Sequence, residues 1–212
     1  MSSEDILKEV AAEASVCVKC DLCKTRTRAV PGEGSPHAKI FFIGEGPGFH
    51  EDKQGRPFVG PAGHFLDELL ASIQLKRSDV FITNVVKCRP PGNRDPLPDE
   101  IAACHDYLQR QIDAINPPVI VTLGRHSMAQ FFGTEKISAI HGRARNIGGR
   151  LVIAMYHPAA GLHQASLMKT IRDDFKKIPT IIAEAERMKT EGKLKQESAK
   201  PKQDNPEQMT MF

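Results

Sequence analysis

Residues 39–48 read Lys-Ile-Phe-Phe-Ile-Gly-Glu-Gly-Pro-Gly, an apolar run that ends at once in a glycine-rich turn. A short, β-rich run with no polar alternation is what a parallel strand buried on both faces requires. Three further runs share the pattern: 79–83 (DVFIT), 119–123 (VIVTL) and 151–156 (LVIAMY). Helical periodicity fills 62–74, 98–115 and 126–132 between them and 167–188 after the last. Strands alternating with helices predict an α/β fold, a three-layer αβα sandwich around a central four-stranded parallel sheet. Each strand also runs into residues able to do chemistry or to admit a ligand: Gly44–Gly48, Asn84, Gly124 and His157-Pro158. Ligands of open α/β sheets sit beyond the carboxyl ends of the strands, so these four points are expected to converge on one cleft.

The chain of 212 residues suits one such domain, 1–188, with a tail. An acidic start (Met-Ser-Ser-Glu-Asp) and the lack of any apolar run long enough to span a bilayer argue against a signal peptide or a membrane segment. A soluble, cytoplasmic monomer is expected. Residues 3–15 place Ile6, Leu7, Val10 and Ala14 at helical spacing, so an amphipathic helix delivers the chain to Cys17. The net charge of +3 is small, yet 87–94 carries Lys87, Arg89 and Arg94 with no acid, and 141–150 carries Arg143, Arg145 and Arg150 with none. Residues 189–207 are Lys/Glu/Gln/Pro-rich and read as a flexible linker.

The turn at 44–48 is no dinucleotide fingerprint, since Pro47 interrupts it, and no Gly-Lys-Ser/Thr exists for a phosphate loop. Asn84 and His157, each read alone, are as easily strand-end turn residues as functional ones. The cysteines are more pointed. Cys17, Cys20 and Cys23 form two overlapping C-x2-C pairs, and fifteen residues separate Cys88 from Cys104. In a reducing compartment such clustering favours metal or redox chemistry over disulfides. Spacing alone leaves zinc and an iron–sulfur cluster equally open.

Taken together, 44–48 followed by Glu51-Asp52, 55–60 (GRPFVG), 83–91 (TNVVKCRPP), Asn93-Arg94 and 157–160 (HPAA) resemble the signature blocks of family 4 uracil-DNA glycosylases, in the family's order. The resemblance runs from about Cys17 to Ile182. It implies that Cys17, Cys20, Cys88 and Cys104 hold a [4Fe-4S] cluster, with Cys23 an additional thiol beside it. It also implies uracil-containing DNA as partner and hydrolysis of the uracil N-glycosidic bond, leaving an abasic site for base excision repair. Within that resemblance Phe58 stacks on the flipped base, Asn84 reads its edge, Glu45 and Gly46 complete the pocket, and His157 stabilises charge on uracil O2. Family 1 enzymes place a water-orienting Asp where Gly46 stands; Glu51 and Glu45 are the nearest carboxylates, with Glu51 expected to orient water or to close the pocket. Lys87, Arg89 and Arg94, and then Arg143 and Arg145, are expected to contact phosphates, with Leu162 as the wedge in the base stack.

Two other readings remain. A relative that traps uracil-DNA covalently would carry a Lys-Arg-Arg-Ile-His pattern after the second strand, where this chain has Cys-Arg-Pro-Pro-Gly-Asn-Arg. A non-catalytic iron–sulfur or zinc DNA-binding module would make Phe58, Asn84 and His157 incidental. At the C-terminus, 208–212 (QMTMF) bring apolar residues back after the polar stretch. They resemble the bacterial peptide that docks on the replication sliding clamp, with Gln208 making polar contacts and Met211 and Phe212 filling a pocket.

Overall fold

The structure, a computed structural model, describes residues 1–198, with side chains through residue 191. Six strands form one sheet: β1 (Glu33–Gly34), β2 (Ile40–Gly44), β3 (Phe81–Asn84), β4 (Val119–Leu123), β5 (Ala144–Ile147) and β6 (Arg150–Met155). Around them lie α1 (Ser3–Val16), α2 (Phe49–Gln54), α3 (Pro61–Ser72), α4 (Pro98–Ile115) and α5 (Arg125–Phe132). The chain continues through α6 (Ile137–Ile140), α7 (Pro158–His163), α8 (Ala165–Phe175) and α9 (Ile178–Ser198).

The strand order is β1-β3-β2-β4-β6-β5, and its four central strands are the predicted parallel set. The sheet is wider than expected by one antiparallel strand at each edge. β5 joins β6 through Gly148-Gly149, both at positive φ, which is the backbone a two-residue hairpin with the right twist demands.

Strand periodicity divides the core in two. Phe41, Ile43, Ile120 and Val152 face α1, α4 and α5, whereas Ile40, Phe42, Val121 and Ile153 face α3, α8 and α9. At the start of α1 the Ser2 hydroxyl accepts from Asp5 N–H while Asp5 accepts from Ser2 N–H, a reciprocal cap. Arg110 of α4 pairs with Glu9 and Glu13, tying α1 to α4.

The single helix expected over 167–188 is two, α8 and α9, divided after Phe175; Pro179 lies in the first turn of α9, where its missing N–H costs nothing. α9 then runs to Ser198, so the stretch read as a linker from 189 begins as helix. The clamp-binding residues Gln208, Met211 and Phe212 lie outside the described residues. Among those described, no helix is long and apolar enough to cross a membrane.

Candidate active site

The ends of β2, β3 and β6 meet and, with the start of α2 and the loop after β3, form a cleft of about 400 Å3. Gly124 after β4, expected there too, does not line it but lies against His157, which a Cβ on it would approach to 3.2 Å. Its wall brings together Glu45, Gly46, Glu51, Phe58, Asn84 and His157, and adds Asn93 and Arg94.

Asn84 ends β3 and is 2% exposed, yet its carboxamide makes no hydrogen bond to any described residue. Its amide nitrogen and oxygen open on the cleft rather than on a protein partner, so a donor and an acceptor face whatever enters it. A Cβ at Gly44 would lie 2.3 Å from Asn84 Oδ1 and 2.7 Å from the Phe58 ring, so only glycine lets these two side chains approach. Phe58 itself sits at φ 53, a left-handed conformation that is strained for an aromatic residue. Arg77 holds it there: its guanidinium donates to the carbonyls of Pro57 and Phe58 and is anchored by Glu33 and Asp67. Arg77 and Glu33 are functional supports that sequence reasoning missed, because neither is near Phe58 in the chain.

His157 caps α7 with its side chain: Nδ1 accepts from Ala159 N–H at 3.1 Å. That bond requires Nδ1 to be unprotonated, so the neutral ring carries its proton on Nε2 and can donate from there. Burial pushes its pKa down to about 4, against a weaker upward pull from Glu51. The imidazole lies 5.5 Å from the Phe58 ring at 24°.

The two acids differ. Glu51 Oε1 accepts from Val59 and Gly60 N–H at 2.8 and 2.9 Å, so half its carboxylate holds the loop that carries Phe58. Glu45 receives no hydrogen bond from the described residues, although His126 Nε2 stands 3.8 Å from Oε2. Burial raises the Glu45 pKa; His126 lowers it, Asp95 raises it further and Arg125 lowers it. A Cβ at Gly46 would press on Val86 at 2.9 Å, which leaves no easy room for a carboxylate there.

Lys87 is not the surface cation that was expected. It is 1% exposed, and its Nζ donates to Thr83 Oγ1, Asn84 O and Gln111 Oε1 at 2.7, 2.9 and 2.8 Å. Burial pushes its ammonium down to about 8, partly offset by Cys104. It works from beneath, fixing the backbone that presents Asn84. Arg94 is held by both oxygens of buried Glu100 at the cleft edge. Arg145 is held by Glu135, whereas Arg143, level with Ala154 near the carboxyl end of β6, is exposed with no acid partner among the described residues. Leu162 is 44% exposed on α7.

A second site lies behind the first. Cys17, Cys20, Cys23, Cys88 and Cys104 are all free thiols and line one small buried space with Arg26 and Lys87. Cys104 Sγ accepts from Lys87 N–H at 3.2 Å, and Cys88 Sγ from Arg26 at 3.3 Å. N–H donors and positive charge around clustered sulfurs suit a thiolate-ligated metal centre, so the donor set fits an iron–sulfur cluster. Burial pushes the Cys104 thiol up to about 11 and raises Cys88 and Cys20, so ligation would release protons.

A sheet with such a pocket at its carboxyl edge, lined by an open carboxamide, an aromatic face and a neutral imidazole, defines a ligand-binding cleft. Residues 31–178 match the family model described as the uracil DNA glycosylase superfamily. The chain is 51% identical over 187 residues to the type-4 uracil-DNA glycosylase of Archaeoglobus fulgidus, covering 84% of this chain and 92% of the relative. It is 50% identical over 187 residues to that of Sulfurisphaera tokodaii (82% and 84% covered), and 44% over 184 to that of Thermotoga maritima (84% and 96%). The chain belongs to the type-4 uracil-DNA glycosylase family.

Proposed function

We infer that this chain is a uracil-DNA glycosylase that extrudes uracil from DNA and hydrolyses its N-glycosidic bond in base excision repair. The observation that carries the reading is the Asn84 carboxamide, which has no hydrogen bond to a described residue and opens on the cleft that Phe58 and a neutral imidazole also line. Uracil offers O4 as acceptor and N3–H as donor, the complement of one amide; cytosine reverses the first and lacks the second. Phe58 holds the ring. As the bond to the sugar lengthens, charge gathers on uracil O2 and His157 Nε2–H stabilises it. Glu45, whose oxygens no described residue occupies as donor, orients the attacking water, while Glu51 secures the Phe58 loop.

We further assign Cys17, Cys20, Cys88 and Cys104 as ligands of a [4Fe-4S] cluster, which would supply a cross-link between the end of α1, the loop after β3 and α4. Arg89, Arg94 and Arg143 contact phosphates and Leu162 fills the gap left by the extruded base, so the protein works wherever the cell's DNA lies, as a cytoplasmic, nucleoid-associated enzyme.

Incubation with an oligonucleotide carrying a single uracil is expected to release free uracil and to leave no covalent adduct on a denaturing gel. An adduct without release would favour trapping, and neither outcome would leave only a DNA-binding module. Asn84→Asp is expected to lose preference for uracil and gain measurable cytosine release, because a protonated carboxyl can pair with the cytosine edge; a variant that still rejects cytosine as wild type does would remove Asn84 as the reader.

Lys87→Ala should lower stability by about 2–4 kcal/mol by stranding three acceptors. Arg89→Ala should instead make DNA binding less salt-dependent, flattening its log–log salt slope by roughly 0.7–0.9, the share of one neutralised phosphate. Denaturant melts and salt titrations separate the two roles, and a Lys87→Ala protein of unchanged stability would contradict the first.

The Gln208–Phe212 peptide, with Met211 and Phe212 as anchors, docks on the replication sliding clamp in this reading. A chain ending at Glu207 should bind purified clamp more weakly than the full chain; equal affinity would discard the idea.

A further inference from the structure

Phe49 is an aromatic side chain that the fold leaves outside. It opens α2 directly after Gly48, a wall residue of the cleft, and is 45% exposed. A single exposed phenylalanine needs no explanation on its own. This one carries two cations: Lys53 Nζ lies 4.3 Å and the Arg89 guanidinium 5.2 Å from its ring centroid. Neither forms an ion pair with any described residue, whereas Arg94, Arg125 and Arg145 are each held by an acid. Arg89 is also tied to the cleft, since its Nε donates to Asn93 Oδ1 at 2.7 Å and Asn93 is part of the wall. Gly55 closes the far end of α2, and a Cβ there would meet the side chain of Arg28 at 3.6 Å; Arg28 likewise has no ion pair among the described residues. The α2 side of the cleft therefore combines positive charge that has no ion pair among the described residues with a half-exposed aromatic ring.

Extruding a nucleotide removes a stacking partner from the base beside it, and a positively charged groove with an aromatic platform is how proteins hold unstacked nucleic acid. We propose that Phe49 is a stacking platform for the nucleobase next to the extruded uracil, with Lys53 and Arg89 taking the flanking phosphates. The two cations that now lie over the ring can pass to phosphate without breaking an ion pair. Stacking tolerates any base, so the platform adds affinity for the strand without deciding which base is excised. The location of the extruded nucleotide rests on the glycosylase reading; the recognised chemistry, an unstacked DNA strand, does not.

The test is binding of the full-length protein to single-stranded oligonucleotides carrying one cleavage-resistant 2′-fluorinated deoxyuridine. Phe49→Ala should weaken binding by about 5- to 100-fold, as loss of one stacked base does, and Phe49→Trp should restore it. Replacing the nucleotides on either side of the uracil, in turn, by an abasic spacer gives the decisive comparison. On one side the spacer should cost wild type the same factor and cost Phe49→Ala nothing further. Binding of Phe49→Ala equal to wild type, or spacer penalties identical in both proteins on both sides, would overturn the proposal. Failure of the wild-type chain to release uracil would sink the glycosylase reading and leave this binding comparison intact.

Discussion

Replacing His157 with alanine is expected to slow single-turnover uracil release by about 100- to 1000-fold, the usual cost of removing one oxyanion donor. Binding to uracil-containing DNA should change far less, since the hydrogen bond to O2 gains its strength only as charge develops there. The pH profile separates this role from a cationic one. With its pKa pushed down to about 4, His157 is a neutral donor at every pH where the enzyme would be assayed, so the wild-type rate should show no inflection from this residue near the ordinary histidine value of about 6.5. Protonation at lower pH would also break the Ala159 N–H bond to Nδ1. A histidine whose folded pKa lies below its unfolded value favours the fold while neutral. Its contribution is complete above about 6.5 and is lost as pH falls towards about 4. Rapid-quench measurements across this range, on wild type and variant, check both statements. An unchanged rate in His157→Ala, or a wild-type inflection near 6.5 that the variant lacks, would remove the neutral-donor role.

What the chain disclosed in advance follows from where each signal is stored. β2, β3, β4 and β6 were legible because strands buried on both faces must be apolar throughout, and the residues that follow them were legible because such strands all end at the same edge. β1 was not, since two residues carry no periodicity, and β5 was not, since its exposed face is polar; only Gly148-Gly149 marked that hairpin. Lys87 shows the deeper limit. A lysine in a run with two arginines and no acid reads as solvated, and nothing local reveals that Gln111, far along the chain, turns an acceptor towards it. The same holds for Arg77 supporting Phe58 and for His126 and Asp95 flanking Glu45: identity was readable, environment was not. Sequence position favours Glu51 over Glu45 for the water; two backbone N–H groups occupy Oε1 of Glu51, and no described residue donates to Glu45, which is why we assign the water to Glu45.

Cys104→Ser is expected to have the largest effect on the fold itself. Anaerobically purified wild-type protein should be brown and contain about four irons per chain, as full four-thiolate ligation requires. The serine variant should lose both colour and iron. Loss of a structural metal ranks among the most damaging single changes, above about 4 kcal/mol, which for a domain of this size lowers Tm by roughly 8–16 °C. The reason lies in connectivity. Cys17 and Cys20 follow α1, Cys88 follows β3 and Cys104 lies on α4, so the thiols join three segments that the Arg110 pairs, the Lys87–Gln111 bond and the packing of α1 on α4 also tie together. Cys88 and Cys104 also bracket the segment that gives Pro90, Asn93 and Arg94 to the cleft. Release from the cluster should therefore loosen one wall of the pocket, so that substrate affinity falls along with stability. Cys23→Ser is the control: that thiol lines the same space but falls outside the assigned ligand set, so its loss should leave iron content and Tm near wild type. Stoichiometric zinc in place of iron in the wild-type protein would overturn the cluster assignment, and loss of iron in Cys23→Ser with retention in Cys104→Ser would move the ligand set by one thiol.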